Sequence, residues 1–111
     1  MLPERDVAAI KSYCEQRNDP KTSDQLRVEA HVEPTTVTIV ERQAPWTPDI
    51  GPEWTTVNVA RLRYTATKRE WTLQCADSNG RWSRYEYTNP GARVDVLLNE
   101  IDRDPTGIFW G

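Results

Sequence analysis

The stretch that decides the fold is Trp71-Thr72-Leu73-Gln74-Cys75-Ala76-Asp77, then Ser78-Asn79-Gly80, then Arg81-Trp82-Ser83-Arg84-Tyr85-Glu86-Tyr87-Thr88. Two arms of alternating large and polar residues flank a short polar break, the pattern of a β-hairpin. A three-residue hairpin loop that ends on a left-handed residue wants glycine last, and Gly80 stands there. That loop length pairs Leu73 with Tyr85, Trp71 with Tyr87 and Thr72 with Glu86. It also puts Trp82 on the face opposite Tyr85 and Tyr87. Cross-strand pairs of rings and aliphatics stabilise such a hairpin by about 0.2–1 kcal/mol each.

Upstream, Thr55 to Ala66 reads as a strand whose apolar phase shifts between Val57 or Val59 and Ala60, Leu62 and Tyr64. A β-bulge near Val59 reconciles the two phases. Thr67-Lys68-Arg69-Glu70 turns this strand into the hairpin. Earlier still, Leu26, Val28, Ala30 and Val32 alternate with Arg27, Glu29, His31 and Glu33. Pro34-Thr35 turns the chain, and a second strand runs from Val37 to about Gln43. Pairing Val32 with Val37 and Ala30 with Ile39 keeps the apolar sets on one face, where a one-residue slip would expose them. Between these strand pairs, Ala44 to Trp54 holds Pro45, Pro48, Gly51 and Pro52, and therefore reads as loop. Its Trp46, Ile50 and Trp54 suggest a loop packed over the core, with a binding lid as the alternative.

Helices flank the strands. Glu4 to Arg17 follows Pro3 and repeats Val7, Ile10 and Cys14 on one stripe, with Tyr13 beside it. Asn18-Asp19-Pro20 stops it. At the other end, Asn89-Pro90 reads as a helix start, and Val94, Leu97, Leu98 and Ile101 form a stripe that ends near Asp102, ahead of Asp104-Pro105. The tail residues Ile108, Phe109 and Trp110 are apolar enough to dock. The expectation is one α+β domain over residues 1–111, with a five-stranded, mainly antiparallel sheet and an N-terminal and a C-terminal helix.

Composition fits a lean, ring-rich core. The 111 residues are 37% apolar, with five Trp and four Tyr, and each large ring can bury about 150–250 Å². No apolar run approaches the roughly 18 residues of a membrane span. Met1-Leu2-Pro3-Glu4-Arg5-Asp6 lacks the apolar core of a secretory signal. Cys14 and Cys75 match no metal spacing, so two free thiols in the cytoplasm are expected.

Chemical signatures are sparse. His31, the single histidine, falls on the polar face of its strand beside two glutamates and reads as solvated. Asp95, Glu100, Asp102 and Asp104 cluster without a calcium-loop pattern and read as helix-end residues, Asp104 opening a turn before Pro105. The five glycines are isolated, so there is no phosphate loop or nucleophile elbow. No cofactor, metal ligand set or catalytic constellation is expected.

Charge is uneven. Residues 55–88 carry Arg61, Arg63, Lys68, Arg69, Arg81 and Arg84 against Glu70, Asp77 and Glu86, a net +3, which leaves −6 for the rest. With Trp82 these six cations form the candidate binding surface. Trp71, Trp82, Tyr85 and Tyr87 among arginines could stack unpaired bases. The same rings at period two also build an aromatic sheet core, which is the reading adopted, and no RNP-type motif is present. Two functions lead, with an enzyme ranked third. The first is a non-enzymatic module binding a protein partner or itself, and the second is single-stranded nucleic-acid binding through residues 55–88.

The chain also resembles a known family. The run Asp24-Gln25-Leu26-Arg27-Val28-Glu29, the pair Pro45-Trp46, and Ala60-Arg61-Leu62-Arg63-Tyr64-Thr65 carry the resemblance. Trp71-Thr72-Leu73, Trp82-Ser83-Arg84-Tyr85, and the ending Glu100-Ile101-Asp102-Arg103-Asp104-Pro105 through Phe109-Trp110-Gly111 continue it. Their order and spacing are similar to the bacterial domain of unknown function 3024. That resemblance implies a fold and a compartment but no mechanism. Cys75 stands where the family often has an aromatic, and Ser83 where it often has histidine.

Overall fold

In the computed structural model the described residues are 2–22, 24–45, 53–89 and 91–110. Helix α1 (Glu4–Arg17) is followed by strands β1 (Leu26–Val32), β2 (Thr36–Gln43), β3 (Thr55–Thr65), β4 (Glu70–Ala76) and β5 (Trp82–Arg84), then helix α2 (Val94–Arg103). The strands form one antiparallel meander in the order β1-β2-β3-β4-β5. No helix among the described residues is long and apolar enough to cross a membrane.

Alternation produces the core. Val28, Val37, Ile39, Ala60, Leu62, Trp71, Leu73, Cys75 and Tyr85 share the inner face and pack with Ile10 and Cys14 of α1 and with Leu97, Leu98 and Ile101 of α2. Ile10, Ile39, Leu62, Leu73, Leu97 and Ile101 are fully buried. Each such aliphatic side chain stabilises the fold by about 1.5–3 kcal/mol relative to exposure. Both helices therefore lie on one side of the sheet.

Registers follow the apolar patterns. Val32 pairs with Val37 and Ala30 with Ile39. In β3, Ala60 faces Ile39 while Asn58 faces Val40, so Val59 is the extra, bulged residue. The bulge lets Val59 and Ala60 both be buried in sequence. In the hairpin, Ala76 pairs with Trp82 and Gln74 with Arg84, and the Tyr85 amide donates to the Leu73 carbonyl at 2.9 Å. Gly80 has φ +78° at the end of the three-residue loop.

Five expectations are corrected. The last strand stops at Arg84, so Trp71–Tyr87 and Thr72–Glu86 are not ladder pairs. Trp71 instead sits 5.0 Å from the Tyr64 ring, and its indole N–H donates to Asp6 Oδ2 at 2.8 Å. Helix α2 begins at Val94, not after Asn89-Pro90. Gly91 at φ +81° explains the delay, because a left-handed residue cannot lie within a right-handed helix. Leu26 and Val32, at the ends of β1, are exposed, and only Val28 of that apolar set is buried. Of the tail residues, Phe109 is buried and Trp110 partly so, but Ile108 is exposed. Finally, the four rings are not one core: Trp71 and Tyr85 are buried, Trp82 is half-exposed and Tyr87 is 74% exposed. The expected packing of Trp46 and Ile50 lies outside the described residues. Trp54 is half-buried, with the Arg27 guanidinium 4.7 Å above its ring.

The tail is held by Asp104, the α2 C-cap, in the left-handed region at φ 44°. Its carboxylate accepts the amides of Phe109 at 3.0 Å and Trp110 at 2.8 Å. Trp110 donates its indole N–H to the Ile101 carbonyl at 3.0 Å, and Arg17 stacks on its ring at 3.8 Å. The end of α1 has a comparable anchor. Asn18 donates to the Val28 carbonyl at 3.1 Å and accepts the Val28 amide at 2.7 Å.

Candidate functional site

Residues that alternate with the inner set project from the other side of the sheet, which carries neither α1 nor α2. Cross-strand pairing aligns Thr38, Arg61, Gln74 and Arg84 in one row and Thr36, Arg63 and Thr72 in the next. Trp82 belongs to this face because it pairs with Ala76, one position along from the buried Cys75. The face is most open over β3 to β5, since Thr38 and Val40 on β2 are buried despite their outward register.

Arg61 is fixed from two directions. Its Nε donates to Gln74 Oε1 at 2.7 Å, and its guanidinium lies 4.7 Å from the Trp82 ring centroid. Such a cation over an indole contributes about 0.5–1 kcal/mol when exposed. Beside this pair, a cleft of about 400 Å³ is lined by Arg63, Thr65, Lys68, Glu70, Thr72, Gln74 and Arg84. Among the described residues His31 Nε2 lies 3.5 Å from Glu29 Oε1, and the ion pairs are Arg17–Asp102, Arg42–Glu29 and Arg93–Asp95. None of Arg61, Arg63, Lys68 or Arg84 is in one.

Five of the seven candidate residues thus share the open face: Arg61, Arg63, Lys68, Trp82 and Arg84. Two do not. Arg69 adopts φ 53° in the β3–β4 turn and lines a separate polar cleft with Arg5, Asp6, Trp71 and Arg93. Arg81 closes the hairpin loop, its amide donating to Asp77 Oδ1 at 2.9 Å, and falls in register on the side of Cys75 and Ser83. Sequence reading missed Thr65, Thr72 and Gln74. They are neutral, and only the β3–β4 register brings them beside the arginines.

Elsewhere the chemistry is structural. Tyr85 is pushed up to about 12 by burial and by its 2.6 Å hydrogen bond to Glu100. Burial, with the Asp102 carboxylate at 3.2 Å, pushes Tyr13 to about 12 against the opposing pull of Arg17. Burial pushes the Cys14 thiol up to about 11. Cys14 and Cys75 are both free and buried. Among the described residues no three His, Cys, Asp or Glu side chains gather in a way that could hold a metal. Asp102 is engaged by Arg17 and Tyr13, and Asp104 by the tail amides, which accounts for the acidic cluster near α2. A second, apolar groove of about 460 Å³ lies between α1 and the end of β1, lined mainly by Leu2, Val7, Ala8, Val32 and Pro34.

Comparison with known proteins adds a family. The family described as Domain of unknown function (DUF3024) matches residues 2–111. No curated protein and no solved structure matches the chain.

Proposed function

This chain belongs to the DUF3024 family, and from that starting point we propose that it is a non-enzymatic binding module that takes single-stranded nucleic acid on its open sheet face. The observation that supports this reading is the placement of Arg61, Arg63, Lys68 and Arg84 on one face with the half-exposed Trp82. Arginines supply bidentate phosphate contacts and a ring supplies sequence-tolerant stacking. Although the whole chain is at −3, a local basic field steers an anion that approaches that side.

The test is a titration of labelled single-stranded DNA and RNA across a salt series. Each neutralised phosphate lowers the slope of log K against log salt by about 0.7 for a single strand. Arg63→Ala with Arg84→Ala should flatten the slope by about 1.4 on that scale. Trp82→Ala should weaken binding by about 1–3 kcal/mol with the slope unchanged. Absence of binding at tens of micromolar protein in low salt overturns the proposal.

The apolar groove beside Val32 favours a second reading, docking of a protein partner or of another copy. Concentration-dependent sedimentation without nucleic-acid binding would select it. The unpaired, buried thiols of Cys14 and Cys75 support a cytoplasmic setting for either reading.

A further inference from the structure

The cleft beside Arg61 has a charge that decides what fits it. Arg63, Lys68 and Arg84 line it against the single carboxylate of Glu70, a surplus of two positive charges. Among the described residues none of these cations has an ion-pair partner. Three like charges around one small space repel each other, and an anion placed among them relieves that repulsion. Glu70 also approaches Gly91, its Oε1 lying 3.2 Å from the position a Cβ there would take. The floor is polar and neutral. Thr72 sits across from Arg63, and Gln74 sits between Arg61 and Arg84. Because Gln74 Oε1 already accepts from Arg61, its amide hydrogens are the part left to donate.

An internal phosphodiester carries one negative charge, whereas a phosphomonoester carries about 1.5–2 near neutral pH and offers three acceptor oxygens. Two guanidinium forks, an ammonium and hydroxyl donors match the second better than the first. A planar carboxylate has two oxygens and leaves donors idle. We infer that the Thr72 cleft is a phosphomonoester site, so that the open face prefers a single strand that ends in a phosphate. The inference rests on the nucleic-acid reading of the same face and adds which part of the ligand is recognised. The phosphomonoester can come from a strand end or from a free mononucleotide, and the experiment separates these.

Labelled oligonucleotides of one sequence, bearing a 5′-phosphate, a 3′-phosphate or hydroxyls at both ends, are titrated by fluorescence anisotropy. In parallel a mononucleotide is titrated while the amide resonances of residues 63–74 and 84 are followed. A terminal phosphate at one end should tighten binding about tenfold, the scale of one added charge-assisted hydrogen bond. R63Q with R84Q should remove that advantage, and T72V, which keeps the shape but loses the hydroxyl, should reduce it. Equal affinity for all three oligonucleotides overturns the inference while leaving nucleic-acid binding intact. Mononucleotide shifts at Thr72 without any oligonucleotide binding keep the phosphomonoester site and overturn the nucleic-acid reading. Failure of every probe overturns both.

Discussion

Removing the ring of Phe109 should destabilise this domain severely, while trimming its neighbour should barely register. Phe109 is 6% exposed and its ring lies 4.9 Å from that of Tyr85. Burying a ring of about 150–200 Å² at roughly 25 cal/mol per Å² gives about 4–5 kcal/mol, an upper figure because unfolded chains already bury some surface. Phe→Ala changes in cores cost about 3–5 kcal/mol, so about 3–4 kcal/mol is expected. That is a large part of the roughly 5–15 kcal/mol that holds a domain together. At about 4–5 °C per kcal/mol the melting temperature falls by roughly 12–20 °C. Ile108, 44% exposed, provides the control, and Ile108→Ala should stay within about 0.5 kcal/mol of the parent. Urea unfolding of the two variants side by side measures the difference. If Phe109→Ala loses less than about 1.5 kcal/mol, or no more than Ile108→Ala, the tail does not complete the core.

Three further outcomes are expected. Asn18→Ala leaves both backbone groups of Val28 without their partners and should cost about 1–3 kcal/mol, with Asn18→Asp, which keeps the acceptor alone, falling between; equal urea midpoints would refute this. Tyr13 and Tyr85 have folded values raised to about 12 from 10.0, so the fold favours their neutral forms; stability should be intact below pH 10 and decline as pH rises from about 10 towards 12, and Tyr85→Phe should reduce that decline in urea midpoints measured across the window. Gly80→Ala meets no atom within 4 Å, so its cost is confined to the left-handed backbone at about 1–2 kcal/mol; a loss above about 3 kcal/mol in the same assay would mean that the loop is crowded.

What could be read from the chain was local. Gly80 and the alternation on either side fix the hairpin register, and the phase slip before Ala60 locates the bulge at Val59. Both are properties of a few adjacent residues. The helical stripe of Val94, Leu97, Leu98 and Ile101 was equally plain, but its start was not. Asn89-Pro90 has the chemistry of a helix start, and Gly91 overrides it with a backbone angle that no pattern rule weighs. Ile108 and Phe109 look alike as apolar tail residues. They part only because Asp104 turns left-handed and its carboxylate sets the path of the chain beyond it. Charge counting named seven candidate residues, of which Arg61, Arg63, Lys68, Arg84 and Trp82 fall on the open face. It admitted Arg69 and Arg81 as well, because charge along a sequence does not say which side of a sheet each residue faces. Gln74 and Thr72 carry no charge, and nothing short of the strand pairing reveals them.

The amide of Asn18 has a bearing on how copies of this chain could meet. An antiparallel sheet has two outer strands, and each can in principle accept a stranger. On β1 the place of that stranger at Val28 is already taken by a side chain that offers one donor and one acceptor, as a neighbouring backbone would. On the far side β5 is only three residues long. Two copies that joined through their β5 strands would thus present, at both ends of the combined sheet, a β1 strand already occupied at Val28. Growth beyond a pair would have to displace the Asn18 amide from Val28, because continued addition needs an accepting strand on each new arrival. A single asparagine at the end of a helix can in this way set the difference between a terminating contact and a filament.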